Sequence, residues 1–76
     1  MKELLEMLVK AVVDEPDEVN VTVVEGEVSV ILQLHVAPDD IGKVIGKQGR
    51  IAKAIRTIVK ASAVKEGKRA IVEIIG

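Results

Sequence analysis

The hexapeptide Ile45-Gly46-Lys47-Gln48-Gly49-Arg50 decides the fold, because a short helix must end there and a long helix must begin. Two glycines three residues apart let the backbone turn tightly and approach a ligand without a Cβ in the way. The basic side chains make phosphate the natural ligand, and amides at the start of the next helix add partial positive charge. The sequence therefore predicts a phosphate-binding corner.

Two better-known glycine motifs do not fit this corner. A P-loop needs four residues between its first two glycines and a hydroxyl side chain for magnesium, whereas three residues separate Gly42 from Gly46, and Gln48 stands at the hydroxyl position. A dinucleotide-binding fingerprint needs a G-x-G before its helix and a second strand-helix-strand unit, which 76 residues do not supply. A plain helix-turn-helix corner without a ligand remains the alternative.

Composition predicts one small domain spanning residues 1–76. With 49% apolar residues but no Phe, Tyr or Trp, the core must consist of Val, Ile, Leu and Ala, and no aromatic platform exists for bases. The absence of cysteine excludes disulfides and thiolate metal sites. No apolar run approaches the roughly 20 residues that span a bilayer, and no signal peptide is evident. A soluble cytoplasmic protein without membrane contact is expected.

Charge divides the chain into two halves. Residues 1–40 carry two basic and ten acidic side chains, whereas residues 41–76 carry nine basic and two acidic ones, although the net charge is only −1. A domain polarised in this way presents one acidic and one basic face, and a basic face attracts a phosphate backbone over long range.

Hydrophobic periodicity predicts the elements of the first half. Helical spacing of Leu4, Leu5, Leu8, Ala11 and Val12 indicates an amphipathic helix that ends near Asp14, before Pro16 and an acidic loop. Alternation predicts strands over 19–24 and 28–36, joined at Glu25-Gly26 by a tight hairpin in which Gly26 has positive φ. The segment 37–40 then opens a short helix, with Asp39 and Asp40 as capping residues.

The second half is predicted to hold a long two-faced helix and a final strand. Ile51, Ile55, Ile58 and Ser62 share one face of that helix, and Ile55 and Ile58 are expected in the core. The nearly opposite face carries Lys53, Arg56 and Lys60. Gly67 ends the helix, and the strand over 70–75 is apolar enough to be central or well covered.

The resulting order is helix, strand, strand, helix, glycine loop, helix, strand. This is the α-β-β-α-α-β order of a type II KH domain, an α+β fold. The strands at 28–36 and 70–75 flank a two-helix crossover and should be parallel, and the hairpin adds an antiparallel strand. We therefore expect a three-stranded mixed sheet covered on one face by three helices.

The stretch from Val36 to Arg56, together with the ending Val72-Glu73-Ile74-Ile75, closely resembles the small bacterial stand-alone KH proteins of the KhpA (YlqC) family. The match covers essentially the whole chain. The resemblance implies a cytoplasmic protein that binds single-stranded RNA, whose GxxG loop clamps the sugar-phosphate backbone of about four nucleotides. It also implies post-transcriptional control of cell-envelope growth and division, often with a second KH protein of the KhpB (Jag) type.

The RNA site predicted on this basis combines the loop with flanking cations and an apolar floor. The opposite wall is expected from the strand at 28–36, whose main-chain groups would read base edges, and from the loop at 66–69. The predicted RNA-binding residues are Lys43, Ile45, Gly46, Lys47, Gln48, Gly49, Arg50, Lys53, Lys68 and Arg69. The predicted apolar groove adds Ile41, Val44 and Ile51.

A groove for about four nucleotides without aromatic side chains should bind weakly alone. A homodimer, or a heterodimer with a second KH protein, is therefore expected. The available surfaces are an edge strand and the sheet face opposite the helices, toward which Ile31, Gln33 and His35 point.

The sequence offers weaker support for two other classes of function. An enzyme has little support, because His35 is the sole histidine and is expected to be a partly exposed surface residue, and no cluster has metal-ligand spacing. We predict no catalytic residues, metal, cofactor or small-molecule substrate. A protein-protein adaptor that keeps the KH fold but binds through its acidic half remains the alternative.

Overall fold

The structure, a computed structural model, describes residues 2–76. Its helices are α1 (Lys2–Lys10), α2 (Ile41–Ile45) and α3 (Arg50–Lys65), and its strands are β1 (Asn20–Glu25), β2 (Ser29–His35) and β3 (Arg69–Ile75). Single turns of 3-10 helix occupy Pro16–Glu18, Pro38–Asp40 and Lys47–Gly49. This is the predicted order of elements.

The three strands form one sheet in the order β1-β2-β3. β1 pairs antiparallel with β2, and β2 pairs parallel with β3. The α+β class and the mixed sheet of a KH domain are therefore confirmed. β3, however, is an edge strand with Ile71 45% exposed, so the expectation of a central or well-covered strand is wrong.

The core lies between one face of the sheet and the helices. β2 alternates as predicted, with Val30, Leu32 and Leu34 buried and the residues between them half-buried on the other face. The helices contribute Leu5, Val9, Val44, Ala52, Ile55, Val59 and Ala63 to this core. Burying a medium-sized aliphatic side chain contributes about 1.5–3 kcal/mol, so this aliphatic interface is the main source of stability.

The buried face of α3 is rotated from the predicted one. Ile55 is buried as expected, but Ile58 is 39% exposed, which contradicts its predicted place in the core. The face is instead centred on small or branched residues, Ala52, Val59 and Ala63. Small side chains let α3 approach the sheet closely. The predicted face followed the spacing of the isoleucines and therefore missed these small residues.

α1 ends at Lys10 and not near Asp14. The backbone amides of Asp14 and Glu15 donate to the two carboxylate oxygens of Asp40, at 3.2 and 3.0 Å. A contact between residues about 25 positions apart therefore holds this segment outside the helix. The predicted acidic loop contains the 3-10 turn that Pro16 begins.

Asp40 does not cap the helix that follows it. Its side chain makes no hydrogen bond to the start of α2, and the residue is only 1% exposed. The capping interpretation is therefore wrong for Asp40, whose charge is satisfied by amides of a distant segment.

The hairpin is also built differently from the prediction. The Gly26 amide donates to the Ser29 carbonyl at 2.8 Å, and Glu27 and Val28 form the bend. Gly26 lacks the predicted positive φ, which among residues 2–76 occurs at Gly46, Gln48, Gly49 and Gly67. Gly67 ends α3 as expected.

Candidate nucleic-acid interface

The glycine loop joins α2 to α3 through a single 3-10 turn. Gly46 has φ 76° and ψ 179°, a region that essentially only glycine occupies, and Gly49 has φ 73° and ψ 15°. Its main chain is closed by hydrogen bonds from the Gly46 amide to the Gly42 carbonyl (2.9 Å) and from the Gly49 amide to the Gly46 carbonyl (3.3 Å). Gly46 is therefore required by backbone conformation, whereas the left-handed conformation of Gly49 only favours glycine.

The surroundings of the two glycines differ. A Cβ on Gly46 would lie 2.7 Å from the Ile51 side chain, whereas a Cβ on Gly49 would meet nothing within 4 Å. Gly46 thus has a packing role beneath the loop, and Gly49 leaves an open approach from solvent. The open side is where a sugar-phosphate backbone would come close.

Gln48 is the only non-glycine residue among residues 2–76 with positive φ, at 56°. Such a conformation costs about 1–2 kcal/mol for a residue with a Cβ. Strained backbone of this kind clusters at ligand-binding segments. Lys47 and Gln48 are both exposed, and together with Arg50 they line a shallow depression at the tip of the loop.

Lys43, a predicted phosphate contact, is engaged elsewhere. Its ammonium donates to the carboxylate of Asp14 in a surface ion pair. That hydrogen bond raises the pKa of Lys43, with a smaller favourable contribution from the charge of Asp40. Because Asp40 also holds the Asp14 backbone, Lys43 faces the acidic segment, where the Asp14 carboxylate offsets its charge.

The predicted apolar floor is only partly accessible. Val44 is completely buried and belongs to the core, so a ligand cannot touch it. Ile41 and Ile51 are half-buried, and Ile45 is 40% exposed. Ile45 is therefore the apolar side chain that the loop region best offers to a base.

The strand expected to read bases cannot do so. The Val36 amide donates to the Ile75 carbonyl and the Gly26 amide to the Ser29 carbonyl, which fixes an alternating pattern in which β2 bonds to β1 and β3 in turn. β2 is central, so its main-chain groups are already paired. The prediction that main-chain groups of the strand at 28–36 read base edges is therefore wrong.

The free main-chain groups next to α3 belong to β3. The Arg69 amide donates to the Val28 carbonyl at 2.9 Å, so odd-numbered residues of β3 bond to β2. Ala70, Val72 and Ile74 consequently direct their main-chain groups to the open edge. Backbone donors and acceptors suited to base edges exist there and not on β2.

A groove runs between α3 and this open edge. One part, about 390 Å³, is lined by Arg56, Lys60, Arg69, Ala70, Ile71 and Val72. The adjoining part, about 300 Å³, shares Lys60, Arg69 and Ala70 and adds Val64 and Lys68. Lys60 lies ten residues beyond Arg50, so the groove extends roughly 15 Å along α3 from the glycine loop.

Most cations of this region have no acidic partner. Within residues 2–76 the two ion pairs are Lys43 with Asp14 and Lys68 with Glu25, the latter at 3.5 Å. Exposed cations without such a pair are Lys47, Arg50, Lys53, Arg56, Lys60, Lys65 and Arg69. The predicted Lys53 lies on α3 near the loop, and Arg69 lines the groove.

Arg56 and Lys60 were absent from the predicted site. Their helical spacing had placed them on one basic face of α3, but sequence gave no sign that this face borders the edge of β3. The apolar Val64 and Ile71 were missed for the same reason, because only the sheet order shows which strand lies beside α3.

The described part of the chain has no cluster of side chains that indicates metal binding or catalysis. His35 is half-buried at the end of β2, which fits its expected partial exposure. Among residues 2–76 no group of three His, Asp or Glu side chains could hold a metal ion. None of the helices within that range has the length and hydropathy of a bilayer span.

Comparisons with known proteins agree with this fold. The family profile described as KhpA/KhpB, KH domain matches residues 2–74. A protein named RNA-binding protein KhpA from Clostridium acetobutylicum is 69% identical over 99% of this chain and 100% of its own length. Proteins of that name from Clostridium perfringens and Aquifex aeolicus are 64% and 51% identical, over 99% of this chain and 100% and 95% of their own lengths. No solved structure matches.

The fold and the glycine loop define a KH domain of type II. The chain belongs to the KhpA/KhpB family of KH domains. This is a non-enzymatic family, in keeping with a site built from cations and free backbone groups.

Proposed function

We propose that this protein binds single-stranded RNA, with the glycine loop as phosphate clamp and the α3/β3 groove as the path of the strand. Relatives that share more than half of its residues are named RNA-binding proteins. The observation that carries the proposal is the continuity of unpaired cations from Lys47 and Arg50 at the loop to Arg56 and Lys60 along α3.

The loop would hold the sugar-phosphate backbone. Lys47 and Arg50 supply charge to the phosphates, and the open space over Gly49 lets the backbone approach the main chain. Each phosphate neutralised on a single strand contributes about 0.7 to the logarithmic salt dependence of affinity. A steep fall of affinity with salt is therefore expected.

The groove would hold the bases. Ile71 and Val64 are 45% and 72% exposed and provide dispersion contacts, and the main-chain groups of Ala70 and Val72 face base edges. Arg56, Lys60 and Arg69 would follow the phosphates along the same path. Without aromatic stacking, which contributes about 1–3 kcal/mol per base, one groove binds weakly.

Weak binding by one groove makes a second domain useful, either a second copy or a KhpB-type protein. Two linked grooves raise the overall affinity without any new contact, because the second binding event becomes intramolecular. A role in cytoplasmic post-transcriptional control, as the family resemblance implies, is part of this proposal.

The test is binding of labelled short single-stranded RNA to the native protein and to a Lys47→Asp/Gln48→Asp double variant across a salt series. Aspartate tolerates the positive φ of residue 48, so the loop should keep its shape. Glycine substitutions are less informative, because a side chain at Gly46 would collide with Ile51. Acidic residues facing phosphates cost several kcal/mol, so we expect a loss of at least about a hundredfold in affinity.

The matched control is Lys10→Asp/Ala11→Asp, which makes the same charge change at exposed positions at the end of α1. The control should bind within a few-fold of the native protein. If both double variants bind RNA equally well, the loop is only a corner and the adaptor alternative gains support.

A further inference from the structure

The edge of the sheet formed by β1 offers free main-chain groups to another extended chain. The Gly26 amide donates to the Ser29 carbonyl, and alternation along the antiparallel ladder assigns the even-numbered residues of β1 to hydrogen bonds with β2. The main-chain groups of Val21 and Val23 therefore point out of the sheet. The strand Asn20–Glu25 has no proline and no bulge, and its only charged residue is the last one. This edge thus has little protection against the addition of a strand.

Apolar side chains at this edge are exposed on both faces of the sheet. Val23 lies on the helix side and is 38% exposed, whereas Val24 lies on the opposite face and is 51% exposed. Successive residues of a strand alternate between the two faces, so two consecutive apolar residues of an added strand would cover both valines. The edge therefore favours an extended partner with a short apolar stretch at its centre.

Acidic side chains lie at both ends of the same edge. The turn before β1 carries Asp17 and Glu18, and the bend after it carries Glu27. All three are exposed, and none of them forms an ion pair with another described residue. Glu25, at the end of the strand, pairs with Lys68 at 3.5 Å. Because β1 has no cation of its own, this edge repels a phosphate backbone and attracts cationic side chains.

A second copy of this chain does not fit the edge. If two β1 strands paired antiparallel about their centres, the acidic turn at Pro16–Glu18 of one copy would lie opposite the hairpin acids Glu25 and Glu27 of the other. Like charges opposite one another destabilise a pair of strands. The occupant must instead carry positive charge at both ends of its paired stretch.

We propose that the β1 edge binds a basic, extended arm of another nucleic-acid-binding protein as an added strand. Lys- and Arg-rich arms are disordered when free and are typical of proteins that bind nucleic acids. Such an arm, with two apolar residues at its centre, supplies cations to the acids at both ends and backbone groups to Val21 and Val23. The six residues of β1 extend over about 20 Å, so an arm of about six residues covers the edge.

This surface is separate from the proposed RNA site. The RNA groove borders β3, and β2 lies between β3 and β1, so both edges can be occupied together. One domain would then hold RNA at one edge and the arm of a second RNA-associated protein at the other. Binding of the arm does not require the glycine loop, so the two proposals can fail independently.

The experiment is titration of the full chain, without RNA, with the fluorescent octapeptide Lys-Arg-Thr-Val-Val-Thr-Lys-Arg, followed by fluorescence anisotropy. Its charges are symmetrical, so either strand direction is allowed. The control peptide has proline in place of both valines, which keeps the charge but removes the central amides. We expect the valine peptide to bind at least about tenfold more tightly, because the control loses main-chain hydrogen bonds and apolar contacts. Hydrogen exchange should slow at the Val21 and Val23 amides and stay unchanged at Ala70 and Val72.

Charge at the edge is tested with Asp17→Asn/Glu18→Gln, which removes the turn acids with little change of side-chain shape. This variant should bind the valine peptide about fivefold more weakly. The matched control, Glu66→Gln/Glu73→Gln, removes the same charge at exposed positions at the end of α3 and on β3. It should change the affinity by less than about twofold.

Backbone pairing is tested with Val23→Pro, which removes an outward amide and should abolish binding of the valine peptide. Val23→Thr keeps that amide and the β-branched shape and should retain binding, and circular dichroism checks that both variants are folded. Equal binding of the two peptides, equal effects of the two charge variants, or unchanged exchange at Val21 and Val23 would overturn the proposal. Slowing of these amides by RNA, or by a higher concentration of the chain alone, would assign the edge to another occupant and overturn it as well.

Discussion

The two edges of the sheet differ in every property that matters for binding. The β3 edge lies beside α3, and its free main-chain groups open into a groove with cations that have no acidic partner. The β1 edge has no cation of its own and lies between the acidic turn at Pro16–Glu18 and the hairpin acids Glu25 and Glu27. One small sheet thus separates an edge suited to phosphates from an edge with acidic surroundings.

The largest expected effect is a loss of stability on removal of the Asp40 carboxylate, which holds the acidic segment before β1. Asp40→Ala leaves the amides of Asp14 and Glu15 without their acceptor and creates a cavity at a buried site. We expect a loss of about 3 kcal/mol in the free energy of unfolding, measured by urea denaturation. The segment leading into β1 should loosen while the α3/β3 groove is less affected.

Asp39→Ala is the matched control, because Asp39 is exposed and makes no side-chain hydrogen bond to the rest of the chain. It should change stability by no more than about 0.5 kcal/mol. Equal losses for the two variants would mean that the contacts of Asp40 contribute little.

The next largest effect is expected on RNA affinity, from the cations that line the groove between α3 and β3. Arg56→Glu/Lys60→Glu reverses the two α3 cations that line the groove and should lower RNA affinity by about 2 kcal/mol, or roughly thirtyfold. Lys2→Glu/Lys10→Glu makes the same net charge change at exposed positions on α1, outside the groove. If both pairs weaken binding equally, total charge and not the groove governs affinity.

A smaller effect on RNA affinity is expected at the ion pair of Lys43 with Asp14, which joins the basic half of the chain to the acidic half. Asp14→Asn frees Lys43, three residues before Gly46, and should raise RNA affinity by about two- to threefold. Asp17→Asn removes the same charge from an exposed carboxylate in the same segment that makes no ion pair, so it reports the general effect of charge.

The contribution of this ion pair to stability depends on pH in a defined direction. Asp14 raises the pKa of Lys43 above its ordinary 10.5, so the pair's contribution is present below that value and is lost as the pH rises through the raised pKa. In Asp14→Asn the Lys43 pKa should fall toward 10.5, as measured by NMR titration of the Nζ group. An unchanged pKa would contradict the ion pair.

The smallest effect concerns the strained loop. Gln48→Gly relieves a positive φ but adds backbone freedom to the unfolded chain, so we expect a gain of only about 0.5 kcal/mol in unfolding free energy. Gln48→Ala, which keeps the Cβ, should show no such gain. A loss of stability in the glycine variant would mean that the Gln48 side chain itself supports the loop.

Sequence was sufficient where local pattern determines structure. Alternation along Val30, Leu32 and Leu34 identified β2 and its buried face, and the spacing of Gly46 and Gly49 identified the loop. It failed where a distant residue intervenes, as Asp40 does when it holds the amides after α1. Helical periodicity could not weigh Ala52 and Ala63 against Ile58, because close approach to a sheet favours small side chains.

The site was predicted in part for the same reason. The loop residues follow from local chemistry, whereas Arg56 and Lys60 join the site only because β3 lies at the sheet edge beside α3. Val44 had the right spacing for the groove floor, but packing placed it fully in the core. The main-chain groups of a strand are available or paired according to its position in the sheet, which composition does not encode.

The alternation of main-chain groups in the sheet has a consequence for solution spectroscopy. Amides that point outward are the odd-numbered ones on β1 and the even-numbered ones on β3, and unprotected amides exchange with solvent faster than paired ones. In each strand the outward-pointing amides alternate with amides that are hydrogen-bonded to β2. The exchange rates of the bonded amides therefore serve as an internal reference for the outward ones. In one hydrogen-exchange spectrum, slowing at Val21 and Val23 would report occupation of the β1 edge, and slowing at Ala70 and Val72 would report occupation of the β3 edge.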